Sequence, residues 1–472
     1  MSRTVRNSLI VVVVLVLAYP AAAWLLGRMV EHNWEEREQN GLQQIPGYAQ
    51  YVTIVKRDYR RGVYGATEEI TIRLGEKFLK AIRSSGNADW TDHVQLVVRN
   101  TIHHGPLPQL HDFAPATVDT EWVLPPEVHD KLLAAFKGKA NLTIHTRMNW
   151  LGGSTTLVHS PAFNQPLEKI ATIDWRGLDA RLVAGREIGS GSVNLTSPGL
   201  TLKTEKGHTV GYQDLKLDSS LQPAYEVLNV GDLKLVLGQL QIEDANKPFK
   251  LTARNLAFES HSRLNGEFVD ADGGLTIEAV QVNTFDTSHI NYAARFTHIH
   301  GPAAAALTKA LRAEQSDTPD TATPQEAAAA STKRLAAAFQ GPGVDLLVKE
   351  PVVDITHLGF AMPEGALDIS LKASMPGVTK EELQGGALDA VKTALVKHLQ
   401  MSTDIRIDTA MLDKLLESTG KGENAAAQLQ GLQRQGYIKL DGKALTTHLT
   451  YLGGQLKVND LPFPPRPPGA PQ

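Results

Sequence analysis

The chain has 472 residues and no cysteine. Disulfides, thiolate metal sites and cysteine nucleophiles are therefore excluded. The absence is compatible with an oxidising compartment and does not require one. An excess of either charge is also lacking: 47 Lys and Arg stand against 51 Asp and Glu, a net charge of −4. No basic field is present to attract nucleic acid, so no nucleic-acid partner is expected. The hydrophobic content of 42% is enough for a sizeable core, and the length suggests two or three domains.

A third absence is local. Leu9 to Gly27 (LIVVVVLVLAYPAAAWLLG) holds no charged residue, Arg3 and Arg6 precede it, and no Asp or Glu occurs before Glu31. At ~1.5 Å per helical residue this stretch covers most of a hydrocarbon core ~30 Å thick. The spacing predicts a membrane anchor, with Leu9, Val13 and Leu17 in the apolar run and Trp24 and Gly27 at its end. The positive-inside rule places the N-terminus in the cytoplasm and the bulk of the chain across the membrane. Tyr19-Pro20-Ala21-Ala22-Ala23 also resembles a signal-peptide cleavage site. A cleaved signal peptide is therefore the second reading. The apolar run continues through Trp24, Leu25 and Leu26, which favours retention. A buried helix is the third reading, disfavoured by so pure a valine run.

Next comes a polar stalk (28–47), read as helical from Val30 to Gln44 and stopped by Pro46-Gly47. The period then changes to two. Tyr51 to Arg61 and Val63 to Leu74 read as a hairpin turning near Arg61-Gly62, and His93 to His104 as a strand broken by Gly105-Pro106. A helix is predicted over Glu127–Lys137 and β structure over Asn141–Trp150. From Leu151 to His300 short alternating runs recur. Leu233, Leu235 and Leu237 give way at Gly238 to Leu240 and Ile242, and Val210, Tyr212, Leu215 and Leu217 show a similar phase shift. A glycine at such a shift predicts a bulge. A helix is expected at Ala303–Ala313, a linker at 314–324, an Ala-rich helix at Gln325–Gln340 ended by Gly341-Pro342-Gly343, and an amphipathic helix at Lys380–Met401. Two short helices follow near Thr409–Ser418 and Ala425–Gln435. Leu445 to Tyr451, Gly453-Gly454 and Leu456 to Val458 read as a hairpin. The Pro-rich tail, Leu461–Gln472, is read as extended and unable to donate regular ladder bonds. The fold class is α+β, mainly antiparallel β with peripheral helices. It divides into a β-rich region (48–313) and an α/β C-terminal region (325–460).

Tyr59-Arg60-Arg61-Gly62-Val63-Tyr64 on the first hairpin, His104-Gly105-Pro106-Leu107-Pro108 at the next strand's end, and Thr446–Asn459 with its short Pro-containing tail occur in this order behind an apolar N-terminus. In that combination the chain resembles the YdgA family of Gram-negative bacteria. The resemblance implies an inner-membrane protein with a large periplasmic part. It supplies no catalytic residues.

Chemistry-bearing motifs are weak. Arg61 offers a guanidinium for a phosphate or carboxylate, but a hairpin in which Gly62 supplies an unusual backbone angle and Tyr64 packs on the core explains the same residues. His103 and His104 point to opposite strand faces. His298 and His300 share a face but lack further ligands for zinc. Gly189-Ser190-Gly191-Ser192 is not a nucleophile elbow, and Gly152-Gly153-Ser154 lacks the lysine of a phosphate loop. No catalytic, cofactor or metal residues are assigned. Two readings remain. One is a non-catalytic membrane-anchored module that binds a lipid or other amphiphile along apolar strand faces, by fold-level analogy with other anchored β proteins of the envelope. The other is an envelope scaffold or homo-oligomer with those faces closed as core.

Overall fold

The computed structural model describes residues 19–32, 52–75, 95–123, 142–167, 171–187, 189–225, 227–246, 249–315, 339–383, 388–418 and 422–463. Strand pairing in them is antiparallel throughout and proceeds almost in chain order. β1 (Val52–Arg61) pairs with β2 (Gly65–Leu74), then β3 (Gln95–His104), β4 (Ala116–Val123), β5 (Thr143–Met148) and β6 (Ser154–Ser160) follow side by side. β7 (Phe163–Leu167) and β8 (Ala171–Trp175) form a hairpin. β9 (Leu178–Ala184) returns beside β6, and β10 (Gly191–Thr204) takes β9 along its first half and β8 along its second.

Five long strands then form the middle of the sheet: β11 (Thr209–Tyr225), β12 (Leu228–Asp244), β13 (Phe249–Asn265), β14 (Phe268–Val282) and β15 (Phe285–His300). β15 pairs directly with β16 (Val352–Met362), so the sheet runs across the expected linker without interruption. β17 (Gly365–Ser374) and β18 (Gln400–Asp408) continue it. β18 pairs with β20 (Ala444–Leu452), whose far edge takes β19 (Lys439–Asp441) and β21 (Gln455–Val458); β22 (Leu461–Pro462) closes the series. The described strands thus make one open antiparallel sheet of 22 strands.

The two faces differ. Opposed residues trace a transverse row from Tyr59 through Glu68, Asn100 and Thr120 to Ile144, Val158 and Ala180. It continues through Leu195, Leu217, Leu235, Phe258, Leu275, Tyr292, Leu358, Ile369 and Ile405. The row starts polar and turns apolar at β5. Three positions along, a row on the opposite face reads Asp232, His261, Asp272, Arg295, Asp354 and Lys372, with the two signs of charge mixed as suits a solvated surface.

The phase shift read at Gly238 is real, but it is not a bulge. The register is the same on either side of it, so neither strand gains a residue. Pro198, Asp214, Gly238, Asn255, Glu278 and His289 instead fall on one transverse line across β10–β15, each missing from otherwise regular pairing. On alternate strands the residue on this line has a left-handed backbone: Asp214 (φ 53°), Asn255 (φ 50°) and His289 (φ 51°). Asp, Asn and His tolerate that region best among residues with a Cβ. The crease reverses the side-chain alternation. The Tyr212 hydroxyl lies 2.9 Å from the hydroxyl of Ser197, which is itself opposite Leu215. Tyr212 and Leu215 are three apart in sequence yet share a face.

Helices lie at the ends. Residues 19–32 form α1, which packs on β2–β4. The helix Gly301–Gln315 contacts β11, β12 and β15, and extends two residues into the expected linker. Three expectations are corrected. The amphipathic helix runs Leu388–His398, not to Met401; Met401, Thr403, Ile405 and Ile407 alternate as β18, a period of two hidden behind the helical stripe. Gly341-Pro342-Gly343 does not end a helix but lies in a wide-turn segment, Phe339–Gly343, leading into the helix Val344–Leu347. Val344 is held there by a core with Met375, Val378, Leu383 and Ala394. The tail begins as a strand, because Leu461 pairs with Val458 and the Phe463 amide donates to the Leu456 carbonyl, both free of the proline limitation. The expected helices at Glu127–Lys137 and Gln325–Gln340 lie outside the described residues apart from the last two positions, as do the stalk beyond His32 and the tail beyond Phe463.

Candidate functional site

Leu9, Val13 and Leu17 lie outside the described residues; Trp24 and Gly27 lie on α1. Among the described residues no helix is long and apolar enough to cross a membrane. What the structure shows instead is where the end of the apolar stretch goes: it is docked by the motif residues.

Ala23 and Gly27 are four apart, so they share one helical face and leave it nearly flat. His104, the last residue of β3, fills the space beneath. Its ring would stand 2.5 Å from a Cβ on Gly27, and its Nδ1 lies 2.9 Å from the Ala23 carbonyl oxygen, to which it donates. Gly105 follows with φ 140°, a left-handed value that lets the chain turn under Ala23 and Tyr19. Pro106 is half-buried beside it. The Tyr19 hydroxyl donates to the Leu107 carbonyl at 2.7 Å, and its ring stacks on Tyr64 at 6.0 Å. Farther along the helix Arg61 lies over the Trp24 ring at 5.4 Å and pairs with Glu31 at 3.0 Å. Fully buried Val30 closes the contact with Ala66, Ile102, Ala116 and Val118, flanked by Tyr59 and Met148.

Tyr59, Arg61, His104, Gly105 and Pro106 are therefore brought together around α1. Two details of the hairpin reading are corrected. Gly62 has no left-handed angle; its amide closes the turn on the Gly65 carbonyl at 2.7 Å. Tyr64 is exposed and reaches Tyr19 rather than the core. Arg61 does meet a carboxylate, that of Glu31 in the same chain.

Beside this contact lies a buried polar chain that the sequence did not reveal. Glu68 is fully buried; it accepts from Arg57 Nε at 2.5 Å and from Asn100 Nδ2 at 2.7 Å, and Thr120 Oγ1 donates to the Asn100 side-chain oxygen at 2.7 Å. Such a chain is tolerated because each member has a partner. Burial, aided by the Glu31 and Glu68 carboxylates, pushes the Tyr59 hydroxyl up to about 12. Burial also holds the His104 imidazole below its ordinary value, while the carbonyls of Ala23 and Gly65 pull the other way. His104 therefore sits neutral under the helix.

From β5 onward the same face carries the apolar row. None of its nine residues from Leu195 to Ile405 is buried, and Leu358 is exposed. Among the described elements, the strands of this region pack broadly only on their neighbours, with the helix Gly301–Gln315 at one end of β11, β12 and β15 and the helix Thr409–Ser418 on β17 and β18. Histidines on the other face are cross-strand partners of aspartate. His145 meets Asp119, and His448 meets Asp404, each at 2.7 Å. His298 and His300 both lie against the Phe268 ring. Among the described residues no group of three potential ligands is placed to hold a metal.

The arrangement is that of a helix clamped to one end of a very long open β-meander whose apolar face continues past the clamp. The chain belongs to the DUF945 family of bacterial proteins of unknown function, whose sequence profile matches residues 1–466. No curated protein and no solved structure matches it.

Proposed function

We propose that this is a non-catalytic, membrane-anchored protein of the bacterial envelope that holds a lipid or other amphiphile along the apolar face of its sheet. The row from Leu195 to Ile405, half-buried apart from exposed Leu358, carries the reading. Its nine strands, β10 to β18, at a spacing of ~4.8 Å, extend over about 38 Å. A contiguous apolar surface of that size is rare on a protein that keeps it in water. The uncharged Leu9–Gly27 segment and the resemblance to the YdgA family support an inner-membrane anchor with the sheet on the periplasmic side. The rigid clamp on α1 then fixes where the sheet starts relative to the bilayer.

The test is native purification of the full chain in mild detergent with mass spectrometry of what remains bound. A specific lipid at defined stoichiometry is expected. The double variant Leu235→Glu, Phe258→Glu should lose it with an unchanged far-UV spectrum, and Thr276→Lys, on the other face, should keep it. A symmetric oligomer carrying no lipid would overturn the proposal in favour of a scaffold whose faces close on one another.

A further inference from the structure

One corner of the sheet exposes large apolar side chains in a way that the amphiphile reading does not use. Tyr64, Leu107, Leu110, Phe113, Trp150 and Leu151 are all exposed, Leu110 to 77% and Leu151 to 87%. They come from three successive turns at one edge: β1–β2, β3–β4 and β5–β6. The cluster is built rather than frayed. The Phe113 ring packs on Trp150 at 5.2 Å, and Arg147 Nη2 donates to the Phe113 carbonyl at 3.0 Å. Gln109 (φ 52°) and Leu110 (φ 61°) are both held left-handed, a costly conformation for leucine. That backbone is maintained around a side chain that touches mostly water.

The chain itself indicates what meets this corner. Tyr19 joins it, through Tyr64 and the Leu107 carbonyl. Immediately before Tyr19 in sequence come the ten uncharged residues Leu9–Ala18. Tyr, Trp and Phe beside Leu are the residues that suit the boundary between headgroups and acyl chains, where a ring meets both phases. We propose that this corner is a second membrane contact, lying in the interfacial layer of the bilayer that holds the N-terminal segment. Its position relies on the anchor reading; its chemistry does not. Two contacts, one through the chain and one through the turns, fix the tilt of the sheet.

The absence of cysteine makes the test direct. Single variants Leu110→Cys, Leu151→Cys, Lys206→Cys and Val13→Cys of the full chain are spin-labelled and reconstituted in phosphatidylethanolamine–phosphatidylglycerol vesicles. Collision with oxygen and with a water-soluble nickel chelate is then measured. Labels at 110 and 151 should favour oxygen, as interfacial sites do; the label at 206, at the opposite edge between β10 and β11, should favour the chelate. Labels at 110 and 151 as wet as 206 would overturn the proposal. So would labels shielded from both reagents, which indicates cover by protein or by a second copy. The Val13 label separates the two ideas. If it is embedded while the turns are wet, the corner contact fails and the anchor stands. If it is wet, the anchor fails and the turns decide the corner on their own.

Discussion

At the scale of single residues the clamp on α1 turns on Gly27. Alanine is worth about 1 kcal/mol more than glycine inside a helix, so Gly27→Ala would ordinarily stabilise. Here its Cβ would stand 2.5 Å from a His104 ring that is itself fully buried and has little room to yield. Overpacking of this kind costs about 1–3 kcal/mol, which exceeds the propensity gain. The expected result is net destabilisation by up to about 2 kcal/mol, seen as faster amide exchange in residues 19–32. Unchanged or slower exchange would show that the helix is not clamped as described.

His104 adds a pH dependence. Its folded pKa is depressed, so the unfolded imidazole takes up a proton first as pH falls. The stability that neutral His104 contributes is complete above about pH 6.5 and is lost as pH drops from there towards the lower folded value. Once the intrinsic slowing of exchange is divided out, opening of α1 should therefore rise as pH falls from 7.5 to 5.5, and His104→Gln should flatten that rise. A rise that survives the substitution would assign the titration to another group.

At the scale of elements the crease is the distinctive device. A strand that simply alternated would carry Leu215 and Tyr212, or Leu237 and Leu240, to opposite faces. The crease restores each pair to one face, through left-handed Asp214 on β11 and through unpaired Gly238 on β12. At Asn255 (φ 50°) a β-branched residue cannot sit without strain, whereas glycine can. Asn255→Val should lower stability by about 1–2 kcal/mol, and Asn255→Gly should cost far less despite also removing the hydrogen bond to Glu278. Equal losses would mean that the side-chain contact, not the backbone, matters there.

The same elements show what could be read beforehand. Strands were legible wherever apolar residues kept a period of two, as in β2, β3, β12, β17 and β20. The shift at Gly238 was legible too, but its cause was not. A phase change looks identical in sequence whether one strand bulges or six strands crease together, and only the pairing separates the two. β18 was lost because the helix, bounded at Met401, takes in the first apolar position of the strand. Around α1, the sequence singles out Tyr59, Arg61, His104, Gly105 and Pro106 one motif at a time and hides that they meet one helix. Nothing local in a hairpin states that a helix from thirty residues upstream lies across it. The Ala23–Gly27 spacing is the available signal, masked because Ala23 falls in the cleavage-like run and Gly27 at the end of the anchor. Glu68 carried no signal, since a carboxylate buried by partners on two other strands looks like any strand glutamate.

At the scale of the whole molecule, the sheet has the connectivity of a repeat protein. Its described strands pack broadly only on their immediate neighbours, and among the described residues no second sheet binds distant strands together. Stability then accumulates locally, as in linear arrays, and need not be lost in one step. The distribution of tryptophan offers a way to observe this. All six lie at or before Trp175, at positions 24, 34, 90, 122, 150 and 175. Of the four that are described, Trp24 is in the clamp, and Trp122, Trp150 and Trp175 lie between β4 and β8. Fluorescence excited at 295 nm thus reports on the clamped end, while far-UV circular dichroism reports on every strand through β22. Urea titrations followed by the two signals should give different midpoints, and Gly27→Ala should move the fluorescence midpoint more than the dichroism midpoint. Coincident transitions that shift together would mean that the sheet unfolds as one cooperative body. That outcome would require cover over the apolar face strong enough to couple its two ends, which is also the condition under which the amphiphile proposal fails.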